Sequence, residues 1–172
     1  VYTNRANNAA YNRALALEGL APILSEGRIT RVTVKAAYPE LTGEQLKRVI
    51  ANKQAHFPKE QTSVNGPLLA YVRSLGRERC LLWSSADQGR ARALVEYYGL
   101  EPCFSTLYFS EKTHVVQELE KLAQRFSIKM RDLTVYEDTD PYIEELRAHG
   151  VRAVDAKRWT ASFVHSGQDT LP

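Results

Sequence analysis

Three short apolar runs in the second half of the chain each end in residues suited to handling phosphate. CLLWS ends in Ser84-Ser85, STLYFS runs into Ser110-Glu111-Lys112, and LTVYED ends in Glu137-Asp138, with Asp140 close behind. Hard carboxylate oxygens bind Mg2+, while a lysine and a hydroxyl stabilise phosphate oxygens that gain charge during transfer. That combination requires no redox cofactor. Each residue type also has an ordinary use, because acids after a strand cap helices and a lysine at a helix start is usually solvated. Adjacent acids at a strand end, as in Glu137-Asp138, are harder to assign to capping. The chemistry therefore depends on whether the three runs are strands that end at one place.

The surrounding pattern predicts that they are. From Pro58 onward, apolar runs of four or five residues alternate with amphipathic segments, the pattern of βαβ units around a parallel sheet. NGPLLAYVRSLG opens a helix with Pro67 near its first position and closes it at Gly76. DQGRARALVEYYGL puts Ala91, Leu94, Val95 and Tyr98 on one face and ends in Gly99-Leu100, a left-handed cap with its apolar follower. THVVQELEKLAQRF carries the stripe Val115, Leu119, Leu122 and Phe126. DTDPYIEELRAHG predicts a helix capped by Asp140 with Pro141 in its first turn, followed by the strand VRAVDA. In such a sheet the functional crevice lies beyond the carboxyl ends of the strands, where Ser84, Lys112 and Glu137-Asp138 fall.

The first third reads as helical. A helix is predicted from Ala6 to Glu18, a second from Gly43 to His56 behind the capping-box pair Thr42 and Gln45, and a helix is favoured over ITRVTVKAAY. Segment 161–172 lacks periodicity and reads as a tail. With 172 residues, 44% hydrophobic and 25% charged, the chain has enough material for one α/β core and a modest insertion, and is not a disordered sequence. A net charge of +3 with scattered lysines and arginines does not suggest a nucleic-acid or membrane partner. Without a long apolar run or an apolar amino terminus, a cytoplasmic protein is expected. Cys80 and Cys103 fit neither a zinc spacing nor a disulfide framework and read as reduced structural thiols, while Trp83 and Trp159 read as packing residues. The sequence gives no indication of oligomeric state.

In order and separation, LLWSSADQGRARALVEYYGLEPCF, FSEKTHVVQELEKLAQRF and LTVYEDTDPYIEELRAHGVRAV resemble the second, third and fourth motifs of the haloacid dehalogenase (HAD) phosphatases. The resemblance implies a Rossmann-like three-layer parallel sheet with an inserted helical cap. It divides the chain into a core of 1–13 and 58–160, a cap of 14–57 like that of phosphoglycolate phosphatases and β-phosphoglucomutase, and the tail. It also implies roles. Ser84, with Ser85 beside it, would bind phosphate, Lys112 would neutralise the nucleophile and the phosphate, and Glu137 and Asp138 would hold Mg2+, Asp138 directly and Glu137 at one remove. Asn4 and Arg5 lie where the family's first loop meets substrate. SEKTHVVQELEKLAQRF lacks the glycine and proline flanks common around the third-motif lysine, and in this it is closer to the capless magnesium-dependent members.

The family's first motif, a strand ending in Asp-x-Asp whose first aspartate attacks phosphorus, is not found in this sequence, and the resemblance runs out at Val1. The expectation is a Mg2+-dependent phosphomonoester hydrolase for a small phosphorylated metabolite, with its nucleophile encoded upstream of Val1. A non-catalytic relative that keeps the fold for binding or regulation, and a phosphomutase, stand as alternatives.

Overall fold

The computed structural model describes residues Val1–Trp159; the segment read as a tail lies outside the described residues. The chain divides into two compact units, Val1–Val64 and Asn65–Pro172. By compactness, residues 1–13 and 58–64 therefore belong with the helical unit.

The first unit is built from α1 (Asn4–Leu17), α2 (Arg31–Ala37) and α3 (Gly43–Ala55). Thr42 and Gln45 form the predicted capping box, and Thr30 with Thr33 forms another that starts α2 within ITRVTVKAAY, where a helix is favoured. Tyr11, Ala14, Leu15, Ile29, Val34 and Val49 make its core. The connection between α1 and α2 has no regular structure, so its backbone groups need other partners. Asparagines on α1 supply them. Asn8 accepts from the Ile29 N–H at 2.8 Å and donates to the Gly27 carbonyl at 2.8 Å, Asn12 accepts from the Ile23 N–H at 2.9 Å, and buried Asn7 donates to the Ile29 carbonyl at 2.7 Å.

Arg48 makes a two-pronged ion pair with Glu18, its shortest contact being 2.8 Å. The hydrogen bond from Arg48 outweighs desolvation and, with the guanidinium charge, lowers the Glu18 pKa from 4.5. A lowered carboxylate pKa gives stability that is complete above the unfolded value and is lost as pH falls through the folded one. Arg48→Met should therefore weaken this unit at neutral pH, and the gap from wild type should close on acidification below about pH 4.5. Urea titrations at several pH values test it, and a gap that widens in acid contradicts the assignment.

The second unit alternates helices and strands: α4 (Gly66–Leu75), β1 (Leu81–Ser84), α5 (Gln88–Tyr97), β2 (Thr106–Phe109), α6 (Val115–Arg125), β3 (Thr134–Glu137), α7 (Asp140–Ala148) and β4 (Arg152–Asp155). Both strand pairs among its described residues are parallel. Leu81 to Ser84 lie opposite Thr106 to Phe109, and Thr134 to Glu137 opposite Arg152 to Asp155. Among the described residues these form two separate two-stranded ribbons, with β1 and β3 not joined. A shared core nevertheless packs Trp83 and Val135 against Val115, Leu119, Ile143, Leu146 and Ala153. The fold is α/β with parallel strands, as the alternation predicts. Gly99 takes φ +58° and the Leu100 N–H returns to the Val95 carbonyl at 2.8 Å, closing α5 as its sequence indicates.

The capping of α7 differs from the sequence reading. Thr139 occupies the cap position and makes no side-chain cap bond, and Asp140 is the first helical residue, paired with Lys157 at 2.8 Å. An acid in the first turn still complements the helix dipole, so the motif tolerates either register.

Cys80 and Cys103 are free and buried, and burial raises the Cys80 pKa above 9.0. Both thiols should react slowly with a disulfide reagent in the folded protein and rapidly in denaturant. Immediate reaction of either in the native state would contradict their placement.

Candidate functional site

β1, β2 and β3 end in Ser84, Phe109 and Glu137, and the polar residues at and just after those ends are joined by short contacts. Register does the first part. Ser84 is paired with Phe109, and its carbonyl accepts from the Ser110 N–H at 3.2 Å. The Ser84 hydroxyl accepts from the Ala86 N–H at 3.1 Å, fixing the turn into α5 and leaving its own proton available to an acceptor. Ser85 is exposed beside it.

Lys112 sits in the loop between β2 and α6, with its side chain folded back instead of solvated. Its ammonium donates to Glu137 Oε2 at 2.5 Å and lies 4.7 Å from the centre of the Trp83 ring, and the two ionic side chains are 11% and 5% exposed. Glu137 Oε1 accepts from the N–H groups of Asp138 at 2.9 Å and Thr139 at 3.0 Å. Burial works to raise the Glu137 pKa, but the Lys112 ammonium and these donors outweigh it, so the net shift is downward from 4.5. Glu137 is therefore held ionised with both oxygens committed to protein donors.

Asp138 is the opposite case. The residue is exposed, yet partial desolvation of its carboxyl, followed by the hydrogen bond and like charge of Glu137, raises its pKa above 3.8. Thr139 Oγ1 approaches Asp138 Oδ1 only to 3.5 Å, too long for a strong hydrogen bond. An exposed, under-satisfied carboxylate beside another negative charge suits a hard cation. Mg2+ keeps several waters and commonly takes one or two carboxylates plus a substrate phosphate, so Asp138 fits as one ligand. Among the described residues no group of three or more potential metal-binding side chains is gathered.

Lys112, Glu137 and Asp138 thus come together at the end of β3, and Ser84 stands at the end of β1 with its carbonyl bonded to Ser110, two residues before Lys112. Asn4 and Arg5 are exposed at the start of α1 in the other unit. His114 is exposed at the cap of α6 with no capping bond from its side chain, and Asp140 is drawn to Lys157. What sequence reading missed is Trp83: its ring lies beneath the Lys112 ammonium, and its Nε1–H donates to Ser110 Oγ at 2.9 Å. A concavity of about 400 Å3 lined by Arg77, Glu101, Phe104 and Thr106 opens at the amino end of β2, the end of that strand away from Ser110. It lacks the converging acid, cation and hydroxyl. Among the described residues, no helix is long and apolar enough to cross a membrane.

The fold is similar to that of solved HAD-superfamily hydrolases. The chain is similar to a HAD-superfamily hydrolase of subfamily IA, variant 1, from Geobacter sulfurreducens, with TM-score 0.61 and 15% identity over 88% of this chain and 79% of that one. It is similar to a haloacid dehalogenase-like family hydrolase from Streptococcus pneumoniae, with TM-score 0.65 and 12% identity over 88% and 76%. A protein from Clostridium difficile provisionally assigned as a phosphatase aligns at TM-score 0.67 with 12% identity over 88% and 77%. No protein-family model matches the sequence, and no curated protein sequence matches it significantly. At these identities the likeness speaks for the fold.

Proposed function

We propose that the protein is a Mg2+-dependent phosphomonoester hydrolase acting on a small phosphorylated metabolite. The observation that carries this reading is the Lys112–Glu137 pair beside Asp138 at the carboxyl end of β3, with Ser84 at the end of β1. In it, the Ser84 hydroxyl donates to a phosphate oxygen, and the Lys112 ammonium offsets the charge that builds on phosphate and nucleophile. Glu137 holds that ammonium in place and keeps it from folding onto Asp138. Asp138 contributes an oxygen to Mg2+, which when bound supplies charge neutralisation at the phosphate.

The nucleophile is assigned to an aspartate on a strand outside the described residues. Supporting this, β1 and β3 each pair on one side among the described residues, and a parallel strand set between them would satisfy both remaining edges. It would also bring the end of that strand between Ser84 and Asp138. The first aspartate of an Asp-x-Asp pair would attack phosphorus, the ester oxygen would leave with the phosphoryl–oxygen electron pair, and water would then cleave the acyl phosphate. The test is turnover of p-nitrophenyl phosphate and a panel of phosphorylated metabolites by the product of the whole reading frame, with and without Mg2+. Metal-dependent release of phosphate is expected; absent or metal-independent turnover removes the reading. Transfer of the phosphoryl group to a second sugar hydroxyl instead of water would make it a mutase on the same site.

A further inference from the structure

Lys112 lies in a loop, where a long side chain normally keeps its rotamer freedom and its water. Here it surrenders them. The ammonium has an anion on one side, Glu137 at 2.5 Å, and the indole face of Trp83 on the other, 4.7 Å from the ring centre. Trp83 is fixed independently of the lysine, because it is part of β1 opposite Tyr108 and packs against the core of α6, α7 and β4. The same indole also holds the loop that carries the lysine, through its Nε1–H to Ser110 Oγ at 2.9 Å. One rigid side chain therefore sets both the start of the loop and the position of the charge two residues later.

We propose that Trp83 is a positioning residue for the site: its face confines the Lys112 ammonium to the edge of the strand ends, where it is paired by Glu137 and aimed at the phosphate. The role in phosphate binding rests on the phosphohydrolase reading, while the placement of Lys112 does not. An electron-rich ring can hold the cation without competing for its protons, which stay available to Glu137 and to a phosphate oxygen. A carboxylate in the same place would consume a proton donor and repel the substrate, and an aliphatic residue would leave the cation unsolvated on that side. Trp83 and Ser84 point to opposite faces of β1. The neighbouring positions thus divide the work, Trp83 holding the cation and Ser84 presenting the hydroxyl.

Two measurements test the placement without any ligand. In proton NMR of the unaltered protein, the ε-methylene protons of Lys112, assigned by their loss in Lys112→Arg, should resonate upfield of the other lysines because of the indole ring current; a resonance among the exposed lysines overturns the proposal. In lysine acylation followed by mass spectrometry, Trp83→Leu should speed labelling of Lys112 on the order of fivefold relative to Lys47, while Trp83→Phe, which keeps an aromatic face, should stay within about twofold of wild type. Equal rates in wild type and Trp83→Leu, or equal acceleration in both variants, overturn it, and the NMR result decides if Trp83→Leu does not fold. Calorimetric titration with inorganic phosphate and Mg2+ adds the functional arm. Phosphate affinity should fall about fivefold in Trp83→Leu and be largely kept in Trp83→Phe. Wild-type protein that binds no phosphate but shows the shifted lysine resonance supports the placement and removes the phosphohydrolase reading, so the two fail separately.

Discussion

Glu137→Gln should destabilise the Asn65–Pro172 unit by about 3 kcal/mol, the cost of leaving a buried charge without its partner. Gln keeps the volume of Glu and the oxygen that accepts from the Asp138 and Thr139 N–H groups. What it removes is the charge, and it turns an amide toward a Lys112 ammonium that is 11% exposed and can only donate. Lys112→Met should cost less, about 2 kcal/mol, because Glu137 retains its backbone donors when the ammonium is gone. The asymmetry follows from the hydrogen bonds. In the double variant neither charge remains to be orphaned, so the two costs should fail to add by about 2 kcal/mol. Urea unfolding followed by tryptophan fluorescence reports on this unit alone, since Trp83 and Trp159 are the two tryptophans of the chain and both lie in it. A Glu137→Gln variant within about 0.5 kcal/mol of wild type, the range of an ordinary surface change, would show that the pair is solvated and the site differently built.

The pair also shows where sequence reading stops. Local signals were sufficient for the elements: Thr42 and Gln45 announce α3, Gly99 and Leu100 announce the end of α5, and the alternation after Pro58 announces parallel strands, because each depends on residues a few positions apart. The position of the candidate residues was legible for a similar reason, since strand ends in an α/β fold share one edge. Their partners were not. Lys112 and Glu137 are 25 residues apart and Trp83 and Ser110 are 27 apart, so nothing local distinguishes a lysine that folds onto an acid and a ring from one that points into water. Thr139 replacing Asp140 at the α7 cap is the reverse case. There the local rule was right in kind, but Asp140 stands one place into the helix and pairs with a lysine 17 residues downstream.

Asp138→Asn should strengthen the metal-free protein while weakening Mg2+ binding more than tenfold, and the opposite signs matter more than either size. Two ordinary roles for an acid after a strand predict something else. As a helix cap, Asp138 would exchange for Asn with little change, but Thr139 holds the cap position of α7 and Asp138 lies one residue outside it. As half of a structural ion pair, its loss would cost stability, but the nearby ammonium is already bonded to Glu137. The carboxylate is left partly desolvated beside a second, ionised one, and its pKa is raised by that burial first and then by the hydrogen bond and like charge of Glu137. A neutral amide of the same shape removes the repulsion, so the thermal midpoint without metal should rise. Saturating Mg2+ should then reverse the order, because a ligand at a hundred times its dissociation constant adds about 2.7 kcal/mol to the form that binds it. Thermal unfolding of both proteins, in chelator and in Mg2+, reads the whole argument as a crossing of two pairs of midpoints. If Asp138→Asn is less stable under both conditions, the acid is structural, and the metal must be sought at residues other than the end of β3.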